Sequence, residues 1–251
     1  MLQGSSVSQF FNGIASTYRA RLDGTRPFLS YFFAQRLQLA ITGLSLAHQK
    51  ILDVGAGTGV LFDYLQEKAI PNQYFACDSA EQMLGQSHIP LENRMVGNIH
   101  QLPLSWGSFD YIFLLGVSSY MSTETFEQTL PEAARRLDKE GQLIVSFTHQ
   151  GGLDYRWRSI IHRLIPKGER RKGVITQAFQ VQAYTPSAIA ELASTHFQIK
   201  TIKWLPPVIP GLHHLSPQLA IFLSKFLDRY LSIIFLRRLL SSDFIIFLEK
   251  R

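Results

Sequence analysis

The sequence predicts an α/β chain built on a doubly wound, mainly parallel sheet with helices on both faces. Three observations carry the prediction. Short apolar runs of strand length alternate with stretches of helical periodicity along most of the chain. One run, Ile51 to Val54, passes directly into a turn with glycine at 55, 57 and 59, and then into a helical pattern begun by Val60, Leu61, Phe62 and Leu65. The residues best suited to hold a ligand fall at the carboxyl ends of the runs, where open α/β sheets bind their ligands.

Taken in order, strands are expected near 51–54, 74–77, 94–96, 110–115, 142–148 and 198–204, separated mostly by helices. A helical cap over 1–45 precedes them. The stretch from Leu137 to Thr148 reads as a helix end, a turn at Gly141 and a strand. Thr185 followed by Pro186 is a helix start, since proline suits the first helical position and threonine the residue before it. Pro206, Pro207 and Pro210 exclude helix until about Ser216–Pro217. Leu219, Phe222, Leu223, Phe226, Leu227, Tyr230, Leu231 and Ile234 then recur at helical spacing, with Lys225, Asp228, Arg229 and Ser232 on the other side. Asp243 to Lys250 reads as a last strand.

Composition fits one domain: 251 residues with 46% apolar content can fill a sizeable core. A single cysteine excludes an internal disulfide and fits a reducing compartment. Residues 1–6 lack a charged segment followed by an apolar one, so no secretory leader is expected and a cytoplasmic location is.

A glycine-rich strand-to-helix turn can cradle a pyrophosphate, but two details oppose that here. The glycines are one residue apart throughout, whereas the dinucleotide pattern needs two residues before its third glycine. Asp53, at the mouth of the turn, would repel a pyrophosphate and pair with an ammonium group. S-adenosylmethionine carries such a group.

The motifs around this turn resemble those of the class I S-adenosylmethionine-dependent methyltransferases, over about 8–205 and the final strand. Phe11-Asn12-Gly13-Ile14-Ala15-Ser16-Thr17-Tyr18 resembles the segment that precedes the family's core, which would lay Tyr18 over the methionine end of the cofactor. The turn itself contributes Gly55, Ala56, Gly57, Thr58 and Gly59. Tyr74 to Asp78 resembles the second strand, whose closing acid grips both ribose hydroxyls; a carboxylate has the lone pairs for this. Ser79 and Met83 follow in the family pattern, with Met83 either packing on adenine or serving as a helix core contact. Gly97-Asn98-Ile99 with Leu102-Pro103 resembles a segment with an acid at the second position. Here Asn98 replaces it, and its amide oxygen can still accept from the adenine amino group. Ser108 to Val117 resembles the fourth strand, bringing Leu115, Gly116 and Val117 to the site. Asp110 reads as structural and Cys77 as a small core residue. The resemblance implies a Rossmann-like methyltransferase fold: a seven-stranded sheet with an antiparallel last strand, and one methyltransferase domain over 1–251 with a cofactor-binding half at 46–150.

It also implies in-line transfer of a methyl group from the sulfonium to a small acceptor, leaving S-adenosylhomocysteine. A base is needed only where the acceptor must lose a proton. His149, just past the fifth strand, is the best-placed candidate, with Tyr120, Tyr155 and His162 behind it. After the fourth strand the chain reads Leu115-Gly116-Val117-Ser118-Ser119-Tyr120, without the Asn-Pro-Pro-Tyr type of sequence used on exocyclic amino groups of bases. The eight histidines form no helical His-x-x-x-His pair and there is no cysteine-rich ligand set, so no metal is expected.

Two insertions carry the individuality of the chain. Residues 151–184 form a basic acceptor-side insertion in which Arg156, Arg158, Arg163, Lys167, Arg170, Arg171 and Lys172 outnumber Asp154 and Glu169, accounting for much of the net +6. It suits an anionic substrate, an RNA backbone, an acidic membrane or plain solvation. Residues 206–242 form an apolar helical insertion, wider than one stripe because of Ile221, Ile233, Phe235 and Leu236. It suits a lid over an apolar acceptor, or peripheral membrane contact through 216–240; its internal charges exclude a bilayer span. The leading expectation is methyl transfer to a small apolar or amphipathic acceptor, with a small molecule rather than nucleic acid as the partner. The alternatives are an RNA or protein methyltransferase, or an inactive cofactor-binding scaffold subunit.

Overall fold

The computed structural model describes residues 3–19, 24–164 and 181–251. Helices α1 (Gln3–Tyr18) and α2 (Pro27–Ile41) come first. Then follow β1 (Lys50–Val54), α3 (Val60–Glu67), β2 (Gln73–Asp78), α4 (Glu81–Gly85), β3 (Arg94–Val96), β4 (Phe109–Leu114), α5 (Thr123–Arg136) and β5 (Leu137–His149). Helix α6 (Leu153–Leu164), β6 (Ala183–Tyr184), α7 (Pro186–Ala193) and β7 (Phe197–Trp204) lead to α8 (Leu212–Leu215), α9 (Pro217–Tyr230), α10 (Ile234–Leu240) and β8 (Asp243–Lys250).

The sheet runs β3-β2-β1-β4-β5-β8-β7, with β6 paired to β5 off this path. Strand β8 is antiparallel to both of its neighbours, and the pairings from β3 to β5 are parallel. The count is therefore eight rather than the seven expected, because two residues of the basic insertion add a short strand. The order reverses between β1 and β4, which opens a crevice at the carboxyl ends of those two strands.

Both faces of the sheet are buried at its centre, so β1, β4, β8 and the second half of β5 read as mainly apolar runs. Leu52, Val54, Ile112, Leu114 and Val145 pack against Phe126, Leu130 and Ala133 of α5 and Ile189 of α7. Ile51, Ala76, Phe113, Ile144 and Phe247 face the other way, onto Leu37 and Ala40 of α2 and Leu61 and Leu65 of α3.

Three expectations are corrected. The anticipated turn at Gly141 is a register shift inside the single strand β5. A Cβ there would lie 3.0 Å from the Phe109 carbonyl and 3.1 Å from that of Asp110, so glycine allows the bulge to close on β4. A short helix, α8, precedes Ser216. The pattern through Ile234 is not one helix: it breaks after Tyr230 and resumes as α10. Of the basic insertion, α6 and β6 are seen, while Lys167, Glu169, Arg170, Arg171 and Lys172 lie outside the described residues, as does the side chain of His162.

Candidate functional site

The crevice is floored by the turn between β1 and α3. Gly55, Gly57 and Gly59 all have left-handed backbone, at φ of 75°, 56° and 75°, a region costly for residues with a Cβ. A Cβ on Gly55 would lie 2.6 Å from Val117 Cγ2, and one on Gly59 would lie 2.9 Å from Ser87 Cβ. The turn is fixed to the neighbouring strand: the N–H groups of Gly55 and Ala56 both donate to the Cys77 carbonyl, at 2.8 and 3.2 Å. Thr58 is fully buried.

Asp78 closes the turn from β2. Its Oδ2 accepts from Gly57 N and its Oδ1 from Ala80 N, each at 2.7 Å. Burial raises its pKa, and the two N–H groups act in the opposite direction. Each oxygen keeps a second lone pair for a ligand.

Asp53 is not at the open mouth. It is 4% exposed, on the α2–α3 face of β1, and its Oδ2 accepts from the Tyr74 hydroxyl at 2.7 Å. Burial pushes its pKa up to about 7; the Tyr74 bond opposes this and Asp78 adds to it. A carboxyl held close to neutrality is poised to ionise when a cation arrives.

Helix α1 forms the cover. Phe11, Ala15 and Tyr18 pack on Ala80 and Met83. The Asn12 side chain accepts from Gln82 N at 2.9 Å, capping α4, and Arg19 reaches both the Thr58 carbonyl and Asp63, the latter at 2.8 Å. Met83 is buried at 3%, and its Cε stands 3.3 Å from where a Gly57 Cβ would be. Ser79 beside it is exposed.

The rim beyond β3 and β4 completes the crevice. Gly97 N donates to the Asp78 carbonyl at 2.8 Å. Asn98 is exposed and starts a capped turn: its Oδ1 accepts from His100 N and its N–H donates to Gln101 Oε1, each at 3.0 Å. Ile99 is buried beneath it. Leu115 packs on the α2–α3 side, Gly116 N donates to Ser146 Oγ at 2.8 Å, and Val117 covers Gly55.

The two candidate proton-transfer residues have separate surroundings. Tyr120 stands edge-on to Phe11 of the cover, with ring centroids 5.2 Å apart. His149 is 8% exposed beside Trp204 and Phe244, with Nδ1 3.1 Å from the Ser241 carbonyl. That contact makes Nδ1 the protonated nitrogen and leaves Nε2 as acceptor. Burial lowers its pKa, favouring the neutral ring. Among the described residues, no group of three or more His, Cys, Asp or Glu is placed to hold a metal ion.

Sequence reasoning missed several residues here. Tyr74 reads as a strand residue yet holds Asp53. Arg19 follows the Ala-x-x-Tyr motif directly. Arg36 pairs with Asp243 at 2.6 Å and would lie 2.9 Å from a Cβ on Gly116. Its signal is that it is the lone charge in the fifteen residues of α2. Asp110, read as structural, accepts from Lys50 N at 2.7 Å.

A doubly wound sheet with a tight glycine turn after β1 and an acid ending β2 is an α/β arrangement whose crevice suits a nucleoside. Residues 52–145 match the family model described as "Methyltransferase domain". The fold of the chain is that of the class I S-adenosylmethionine-dependent methyltransferases. The chain is similar to magnesium protoporphyrin IX methyltransferase from Synechocystis PCC 6803, solved with bound S-adenosylhomocysteine, at 15% identity over 99% of this chain and 100% of that one, with a TM-score of 0.65. It is similar to the protein described as "the putative methyltransferase" in its complex with the Haloferax volcanii Trm112 methyltransferase activator, at 12% identity over 95% of this chain and 96% of that one, TM-score 0.62. A possible histamine N-methyltransferase from Thermotoga maritima matches at 15% identity over 99% and 100%, TM-score 0.61. No curated protein matches the sequence.

Proposed function

We propose that the crevice binds S-adenosylmethionine and that the protein methylates a small apolar or amphipathic acceptor. The observation that carries the reading is the Asp78 carboxylate, locked to Gly57 and Ala80 at the end of β2 with lone pairs still available. The donor set fits this cofactor. Carboxylates suit ribose hydroxyls and an ammonium, and the glycine turn leaves room for close backbone approach. The proteins solved with S-adenosylhomocysteine or S-adenosylmethionine in the same fold support it.

When bound, the cofactor supplies a sulfonium methyl group ready for in-line displacement. The chain has to hold, orient and keep dry. Asp78 would take the ribose, and Asp53, buried beneath the turn, would answer the ammonium by its charge rather than by direct contact. Met83 and Ile99 with Asn98 receive the adenine, and Gly116 and Val117 shape the methionine side. Tyr18 and Phe11 close the top and exclude water, so much of the rate gain comes from fixing a near-attack geometry. The aromatic edges of Phe11 and Tyr120 give the acceptor side an apolar wall. For an acceptor that must lose a proton, His149 Nε2 is the proposed base and the Tyr120 hydroxyl the second candidate.

The test is a panel of amphipathic carboxylates, phenols and amines incubated with protein and S-adenosylmethionine, reading S-adenosylhomocysteine release and a mass gain on the acceptor. Turnover on an apolar member supports the reading. Turnover confined to RNA or protein would move the acceptor class, and tight cofactor binding without any turnover would favour a scaffold subunit.

A further inference from the structure

Helix α9 presents an apolar face outward. Its buried residues are Ala220 and Ser224, whereas Leu219, Phe222, Phe226 and Tyr230 are 45%, 62%, 48% and 61% exposed. Spaced three, four and four residues apart, these four form a single stripe along the helix. Their rings touch in sequence: Phe222 to Phe226 at 6.3 Å and Phe226 to Tyr230 at 4.8 Å between centroids. The surface continues onto the next turn of chain, where Ile234 and Phe235 are 65% and 71% exposed. An apolar surface running over two consecutive helices marks a face that is covered in use.

Charge indicates what covers it. Lys225 and Arg229 of α9 and Arg238 of α10 are exposed, and each cation rests 5.6 Å from an aromatic centroid, those of Tyr31, Tyr230 and Trp204. Asp228 of the same helix is already engaged by Arg237 at 2.6 Å. A second copy of the chain, itself at +6, would bring these like charges together. An anionic bilayer takes both features, its acyl boundary accepting the rings and its headgroups the cations. Aromatic side chains are those favoured at that boundary. No helix among the described residues is long and apolar enough to cross a membrane, so the contact is peripheral.

We propose that α9 and α10 seat the protein on anionic lipid surfaces, with the Leu219, Phe222, Phe226 and Tyr230 stripe in the acyl boundary and Lys225, Arg229 and Arg238 at the headgroups. The inference stands independently of the methyl-transfer reading, because binding is measured without cofactor or acceptor. The experiment is flotation of the full chain with phosphatidylcholine vesicles, with and without about 30% phosphatidylglycerol. The protein should float with the anionic vesicles and lose binding as salt rises. Phe222→Ser/Phe226→Ser should weaken the partition at least about tenfold, and Arg229→Glu/Arg238→Glu about fivefold or more per cation removed. Unchanged circular dichroism shows that both variants are folded. Equal flotation with neutral vesicles, no flotation with either, or variants that float like the parent would overturn the proposal. So would a concentration-dependent dimer that Phe222→Ser/Phe226→Ser dissolves, since the face would then be a contact between copies.

Discussion

The Tyr74 hydroxyl donates to Asp53 Oδ2 at 2.7 Å, across the adjacent strands β2 and β1, with both residues buried. Burial holds this carboxyl at a pKa of about 7, against its ordinary 3.8, and the Tyr74 bond opposes the rise without cancelling it. The folded chain therefore holds a proton there that the unfolded chain releases. Stability should fall as pH rises from about 4 to about 7, by at most about 4 kcal/mol. Asp53→Asn should abolish that fall and be more stable than the parent at pH 8, as read by denaturant melts at both ends of the window. Parallel pH dependence in the two proteins would contradict the assignment.

The same ionisation bears on ligand affinity. If the Asp53 carboxylate answers the cofactor ammonium, S-adenosylhomocysteine affinity should climb by up to about tenfold per pH unit below 7 and level off above it. It should decline again only as the ligand's own amino group titrates, near about 8. Asp53→Asn should bind weakly with a flat profile below pH 7, measured by calorimetry across that range.

Asp78→Ala removes the carboxylate that the ribose requires, along with the two bonds to Gly57 and Ala80. Cofactor affinity should drop by about a hundredfold or more, equivalent to about 3 kcal/mol, while the fold loses only about 1–2 kcal/mol. Calorimetry and thermal melts separate the two effects.

Gly55→Ala combines a left-handed backbone at φ 75° with a Cβ that would sit 2.6 Å from Val117 Cγ2. A cost of about 2–4 kcal/mol is expected. Adding Val117→Ala should recover the steric part and leave the backbone part of about 1–2 kcal/mol, so the double variant should melt between Gly55→Ala and the parent.

His149 offers a kinetic test. With Nδ1 on the Ser241 carbonyl and its pKa lowered by burial, the ring is neutral at and above ordinary pH. If Nε2 accepts the acceptor's proton, kcat should lose its acid limb in His149→Gln and fall by about 10²–10⁴. A lower melting temperature with an unchanged pH profile would instead assign the ring to holding β5 against Ser241 and Trp204.

Much of the fold is legible in the sequence because the central strands are buried on both faces and read as mainly apolar runs. Strand β6 is not, since two residues pair with β5 only in the tertiary context. Gly141 reads as a turn because sequence gives its flexibility but not the close approach to β4 that uses it. Periodicity gives the phase of α9 but not which side meets the protein. The small Ala220 and Ser224 settle that, with Ser224 Oγ 3.5 Å from the Tyr31 hydroxyl of α2 while the larger rings turn outward. At the site, the glycines and Asp78 declare themselves through motif spacing, whereas Tyr74 and Arg36 act through neighbours distant in sequence.

The central claim is tested most directly by calorimetric titration of the full chain with S-adenosylmethionine, S-adenosylhomocysteine and, separately, NAD. Saturable binding of the first two, without NAD, is the predicted result. Binding of NAD alone, or of none of the three, would contradict it.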